Sequence, residues 1–151
     1  MKKTLVSLMA AASLLGAGFA APAYAATPAV SFTKIYFDSP GKDTGSNSSL
    51  NNEWVRLTNT SKSAVQLKGW TIRDRSNHVY TFKASYSLKP AARVYVHTGR
   101  GTNGKPDGND LYWGSRAYIW NNTGDTATLK NASGKTVDTC KFGSKGPSTS
   151  C

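Results

Sequence analysis

Residues 53–58 read Glu53-Trp54-Val55-Arg56-Leu57-Thr58. Successive side chains of an extended chain point to opposite faces, so Val55 and Leu57 share one side and Trp54, Arg56 and Thr58 the other. Trp70-Thr71-Ile72-Arg73-Asp74 repeats the alternation after the break at Gly69. Outward from these two runs, strand-like stretches recur at 30–37, 64–67, 78–82, 93–97, 117–120, 126–130 and 135–142. Residues 38–52 are rich in Gly, Ser and Asn, and 99–110 carry four glycines, so both read as loops. Asn121-Asn122-Thr123-Gly124-Asp125 reads as a hairpin-like turn, because Asn and Gly tolerate positive φ. No window carries a helical period. Short strands with regular turn signals predict an antiparallel all-β sandwich or barrel in one domain.

Composition narrows the class further. The chain has 151 residues, 19 Lys+Arg and 8 Asp+Glu, for a net charge of +11. Charged residues make up only 18%, too few for a heptad-patterned coiled coil. The sign of the charge, with 4 Trp, 7 Tyr and 5 Phe, excludes acidic disorder. A basic balance raises the prior for polyanions such as nucleic acid, anionic lipid or acidic polysaccharide. It is equally compatible with a solvated surface.

Lys2 and Lys3, an uncharged apolar run from Leu5 to Ala20, and Ala21-Pro22-Ala23-Tyr24-Ala25 read as a secretory signal peptide over 1–25, cut after Ala25. The run is too short and too rich in Ala and Gly for a membrane anchor. Removing Lys2 and Lys3 from the 19 basic residues leaves 17 against 8 acids, a mature charge of +9. Export, to a secreted or extracellular location, also decides how Cys140 and Cys151 are read. In an oxidising compartment an even pair predicts a disulfide tying a tail at 143–151 to the last strand. A metal pair or redox dithiol fits less well, because the spacing is not C-x-x-C and no His or third Cys is near.

The search for chemistry finds little. His78 and His97 sit in strand-like runs with nothing in the sequence to pair them. Nucleophile-elbow, zinc-protease and phosphate-loop patterns are missing, so a non-enzymatic role without cofactor or resident metal is expected. The clusters at 38–43 and 107–110 offer carboxylates that could take Ca²⁺, but Asp and Asn beside Gly more often make turns. Four N-x-Ser/Thr sequons begin at Asn47, Asn59, Asn121 and Asn131. With an Ala-rich leader of bacterial look, they read as turn composition.

Five ordered motifs resemble the lamin tail domain family over residues 30–142. They are Glu53-Trp54-Val55-x-Leu57-x-Asn59; Leu67-x-Gly69-Trp70-x-Ile72-x-Asp74; Phe82, Leu88 and Pro90 followed by Val94-x-Val96; Leu111-Tyr112-Trp113 with Ile119-Trp120-Asn121-Asn122-x-Gly124-Asp125-x-Ala127-x-Leu129; and Gly134-x-x-Val137-Asp138. The resemblance implies an immunoglobulin-like β-sandwich over 26–142 and an interaction module in which protein and DNA partners are conceivable. Val55, Leu57, Trp70, Ile72, Val94, Val96, Ile119 and Leu129 are the inward candidates. Glu53 and Asp125 are expected to bond loop backbone. The expected function is an exported binding module for an acidic polymer, either DNA or a cell-envelope polyanion, or for a protein. Arg56, Arg73, Arg75, Lys83 and Arg93 are the candidate binding residues. A secreted scaffold with incidental charge is the alternative. A metal-dependent nuclease or hydrolase using Asp107 or Asp110 is a remote one.

Overall fold

In the computed structural model, residues 27–151 are described, and the leader expected over 1–25 lies outside them. The alternation at 53–58 becomes strand β2 (Trp54–Asn59), with Val55 and Leu57 fully buried and Trp54, Arg56 and Thr58 partly exposed. It lies between β1 (Val30–Tyr36) and β7 (Arg93–His97), antiparallel to both. β8 (Asp110–Tyr112) pairs parallel with β7 on one side, and β11 (Ser148–Ser150) joins β1 on the other. The second sheet runs β10 (Thr136–Gly143), β9 (Gly124–Lys130), β4 (Thr71–Arg73), β5 (Val79–Thr81), all antiparallel. A two-stranded ribbon pairs β3 (Val65–Gln66) with β6 (Ser87–Leu88). The architecture is an immunoglobulin-like β-sandwich, as the resemblance implied.

The two inner faces build one core. Phe32, Ile35, Val55, Leu57, Val94 and Val96 face Ile72, Tyr80, Ala127, Leu129 and Phe142, with Trp120 wedged among them. Each buried Val, Leu, Ile or Phe side chain among them contributes about 1.5–3 kcal/mol by leaving water. Of the expected inward residues only Trp70 is half-buried, packed against the edge of this cluster.

Four local readings change. The loop at 38–52 contains a one-turn helix, α1 (Asn47–Asn51), opened by Ser46, whose hydroxyl accepts from Ser49 N–H at 3.2 Å. Five residues are too few to show a helical period. Residues 117–120 do not form a strand: the N–H groups of Ile119 and Trp120 go to the Glu53 carboxylate instead of a neighbouring strand. Strand β8 arises where the loop read over 99–110 ends. The tail is held by more than its cysteine: β11 adds to the sheet, and Phe37 and Asp38 N–H both donate to Pro147 O at 3.0 and 3.1 Å. The Cys140–Cys151 disulfide is present.

A turn forms at 121–125, closed by Gly124 N–H to Asn121 O at 2.9 Å, but it joins no hairpin, because 117–120 is not a strand. Gly124 has φ +122°, and a Cβ there would lie 2.9 Å from Phe142 O, so the position requires glycine.

Candidate functional site

The outward face of the five-stranded sheet collects two kinds of side chain. Lys34 on β1 stands directly across from Arg56 on β2, and Arg56 directly across from Tyr95 on β7. Arg93 lies two residues along β7, across from Thr58. Beside this basic row runs an aromatic one: Tyr36, Trp54, His97 and Tyr112 occupy matching positions on β1, β2, β7 and β8. Tyr36 stacks on Trp54 at 5.6 Å between ring centroids, Trp54 meets Tyr95 edge-on at 5.2 Å, and His97 stacks on Tyr112 at 5.3 Å. Their cross-strand contacts hold the rings upright and stiffen the face.

His97 is fixed from two sides. Its Nδ1 lies 2.8 Å from Asn51 O and its Nε2 2.8 Å from Asp110 Oδ1. Both partners are acceptors, so both bonds together need a hydrogen on each ring nitrogen. The bond to Asn51 ties α1 to this sheet.

Lys34 and Arg56 are like charges at a cross-strand position, an arrangement that costs stability unless it is neutralised. Among the described residues no carboxylate forms an ion pair with either. Arg56 donates through Nε to Thr33 Oγ1 at 2.9 Å and through an amino group to Thr33 O at 3.4 Å, both uncharged acceptors. Among the described residues the ion pairs are His78–Asp74 and His97–Asp110, and none involves a Lys or Arg.

The carboxylates are occupied elsewhere. Asp125 accepts from the N–H groups of Arg75, Asn121 and Thr126 at 3.0, 3.2 and 2.7 Å and so holds two loops together. Asp138 accepts from Phe32 N–H at 2.8 Å. Asp38 and Asp43 both accept from Asn122 Nδ2. Glu53 is fully buried, and its Oε1 accepts from Thr98 Oγ1 at 2.5 Å, Ile119 N–H at 2.8 Å and Trp120 N–H at 3.3 Å. Its Oε2 has no partner, and burial pushes its pKa up to about 7 against those three bonds. The expected structural role of Glu53 and Asp125 therefore holds in geometry. Of the two nuclease candidates, Asp107 and Asp110, Asp110 is engaged by His97, and among the described residues no three His, Cys, Asp or Glu side chains gather as a metal site would need.

The five expected binding residues divide between the two sheets. Arg56 and Arg93 lie on the face just described. Arg73 follows buried Ile72 in β4 and faces outward from the four-stranded sheet; Arg75 lies in the following turn, donating to Gly124 O at 3.1 Å. Lys83 sits two residues beyond β5. Outward faces of a sandwich point away from each other, so these groups are not brought together. Sequence reasoning missed Lys34, Lys130 and Lys141, although each directly neighbours a buried residue (Ile35, Leu129, Cys140) and the alternation marks all three as outward.

A groove of about 480 Å³ opens between the sheet edges β5 and β8, lined chiefly by Tyr80, Phe82, Tyr86, Leu111 and Trp113. Burial pushes the Tyr80 phenol up to about 12 and raises that of Tyr86.

A family model described as Lamin Tail Domain matches residues 23–144. No curated protein matches the chain.

Proposed function

Because the chain belongs to the lamin tail domain family, we propose that it is an exported, non-enzymatic interaction module that binds an acidic polymer across its five-stranded sheet. The polymer is single-stranded DNA or an anionic cell-wall polymer. Lys34, Arg56 and Arg93 supply the charge, and the aromatic row keeps the face flat and rigid. One observation carries the reading: Lys34 and Arg56 oppose each other across two strands, and among the described residues no carboxylate pairs with either. A repeating anion placed over both relieves their repulsion and releases its counterions. The disulfide supports export, since such bonds persist in oxidising compartments.

The test is a binding isotherm of the mature chain with single-stranded DNA and with a teichoic-acid-type polymer at several salt concentrations. Affinity is expected to fall steeply with salt, each neutralised phosphate of single-stranded DNA adding about 0.7 to the log–log slope. No binding to either polymer at low salt overturns the reading.

A second reading is a secreted scaffold with a protein partner, favoured by the division of the five expected cations between two faces. A co-purifying protein that stays bound at high salt supports it.

A further inference from the structure

The two sheets end side by side at β5 and β8, and the fold finishes these edges differently. The outer main chain of β8 is covered: Asp110 O accepts from Gly104 N–H at 2.7 Å, and Tyr112 N–H donates to Asn103 Oδ1 at 3.0 Å. β5 is not covered in this way. Its pairing with β4 extends at both ends, through Asp74 N–H to His78 O at 3.2 Å and Phe82 N–H to Trp70 O at 3.0 Å. His78, Tyr80 and Phe82 therefore turn their main-chain groups toward β4. By the alternation of an antiparallel ladder, Val79 and Thr81 turn theirs to the open side. Both line the groove, and Val79 is the large hydrophobic side chain that the described fold leaves exposed, at 39%.

An open edge alone is common, and short strands or a nearby Lys usually guard it. Two more features mark this one. The adjoining groove is walled by the inward aromatic side chains Tyr80 and Phe82 together with Trp113, the residue that follows β8. The outward face beside it carries Thr71, Thr81, Thr126 and Thr128 with Arg73, Lys130 and Lys141, and no carboxylate; Lys83 stands at the groove's rim.

We propose that β5 and the adjoining groove form a docking site for an extended acidic peptide segment of a partner protein, which adds to the sheet as a strand. Residues of that segment opposite Val79 and Thr81 share their outward face, so acidic side chains there lie toward Lys83 and Arg73. The intervening residues turn inward, and aliphatic or aromatic side chains there fill the groove beside Tyr80 and Phe82. The expected ligand thus alternates acidic and apolar residues, with main-chain bonds giving affinity and the groove giving selectivity. A second copy of this chain is disfavoured, because edge-to-edge pairing sets Lys83 and Arg73 of one copy beside those of the other. The site is separate from the Lys34–Arg56 face and does not depend on it.

The test is calorimetric titration of the mature, disulfide-bonded chain with acetylated heptapeptides that alternate Glu with Val, Leu, Ile or Phe. Thr81→Pro removes the open N–H and leaves the bonds of Tyr80 and Phe82 to β4 intact. N-methylating alternate amides of the peptide removes the same bonds from the ligand side and needs no variant to fold. Each change is expected to weaken binding about tenfold. Lys83→Glu is expected to weaken the acidic peptides and strengthen versions with Lys in place of Glu. Arg56→Gln is expected to leave peptide binding unchanged while weakening polymer binding, so the two proposals fail separately. The proposal is overturned if no peptide binds, if N-methylation has no effect, if Lys83→Glu leaves the charge preference unchanged, or if the chain self-associates and Thr81→Pro abolishes that self-association.

Discussion

Two residues hold charge in places where it costs stability. Arg56 does so openly, across from Lys34. Replacing it with Gln removes a like-charge pair and is expected to raise stability by a few tenths of a kcal/mol while lowering polymer affinity. Chemical denaturation and a binding isotherm on one preparation measure both; a loss of stability together with unchanged affinity contradicts the role given to Arg56. Glu53 holds charge internally. Its ordinary pKa of 4.5 rises to about 7 in the folded chain. Its stabilising contribution is therefore fully present below pH 4.5 and is lost as pH rises through 7, on the order of 3 kcal/mol. In Glu53→Gln the amide oxygen still accepts from Thr98, Ile119 and Trp120, but nothing titrates. The difference in unfolding midpoint between the two proteins should change steadily between pH 4.5 and 7 and level off on either side. Parallel curves across that range would remove Glu53 as the cause. That Glu53 bonds loop backbone was legible from its place before an alternating strand. That three groups converge on one of its oxygens and none on the other was not, because Thr98, Ile119 and Trp120 reach it only through the fold.

Legibility of the elements followed the length of their patterns. β2 and β4 declared themselves by alternation, and Gly124 marked the turn before β9. The five-residue α1 could not, and 117–120 looked like a strand because Ile119 and Trp120 are apolar and buried. Their burial is real, but their N–H groups satisfy a carboxylate instead of a ladder. β11 escaped notice because Ser148–Ser150 has no apolar period; its place inside the Cys140–Cys151 loop, next to Cys151, brings it to β1. The disulfide closes a separation of 11 residues, and in the chain-entropy model such a loop is worth about 3 kcal/mol. Cys151→Ser, or mild reduction, is expected to lower stability by that order and to release β11 first. Hydrogen exchange should then rise at Lys34–Tyr36 and Ser148–Ser150 before the core strands. Uniform exchange across the sandwich would mean that the tail is not a separate unit.

At the scale of the molecule, the charge of the described residues, 17 Lys and Arg against 8 Asp and Glu or +9, is divided by the architecture. If polymer binding belongs to the five-stranded sheet, replacing Lys130 or Lys141 with Gln should leave the salt slope of polymer binding nearly unchanged. Changes at Lys34, Arg56 and Arg93 should each reduce it by about 0.7 for single-stranded DNA. Equal effects from both sets would mean a diffuse charge with no preferred face. The sequence by itself determined the all-β class, the family, the inward residues and the pairing of the cysteines. These depend on local periodicity, ordered motifs and composition, which are written along the chain. Only the tertiary structure decided which cations become neighbours, that Lys34 opposes Arg56, that the expected binding residues part between two faces, and that the edge at β5 stays open beside an aromatic groove. Strand order and register set those relations, and they bring together residues far apart in sequence that no local pattern connects.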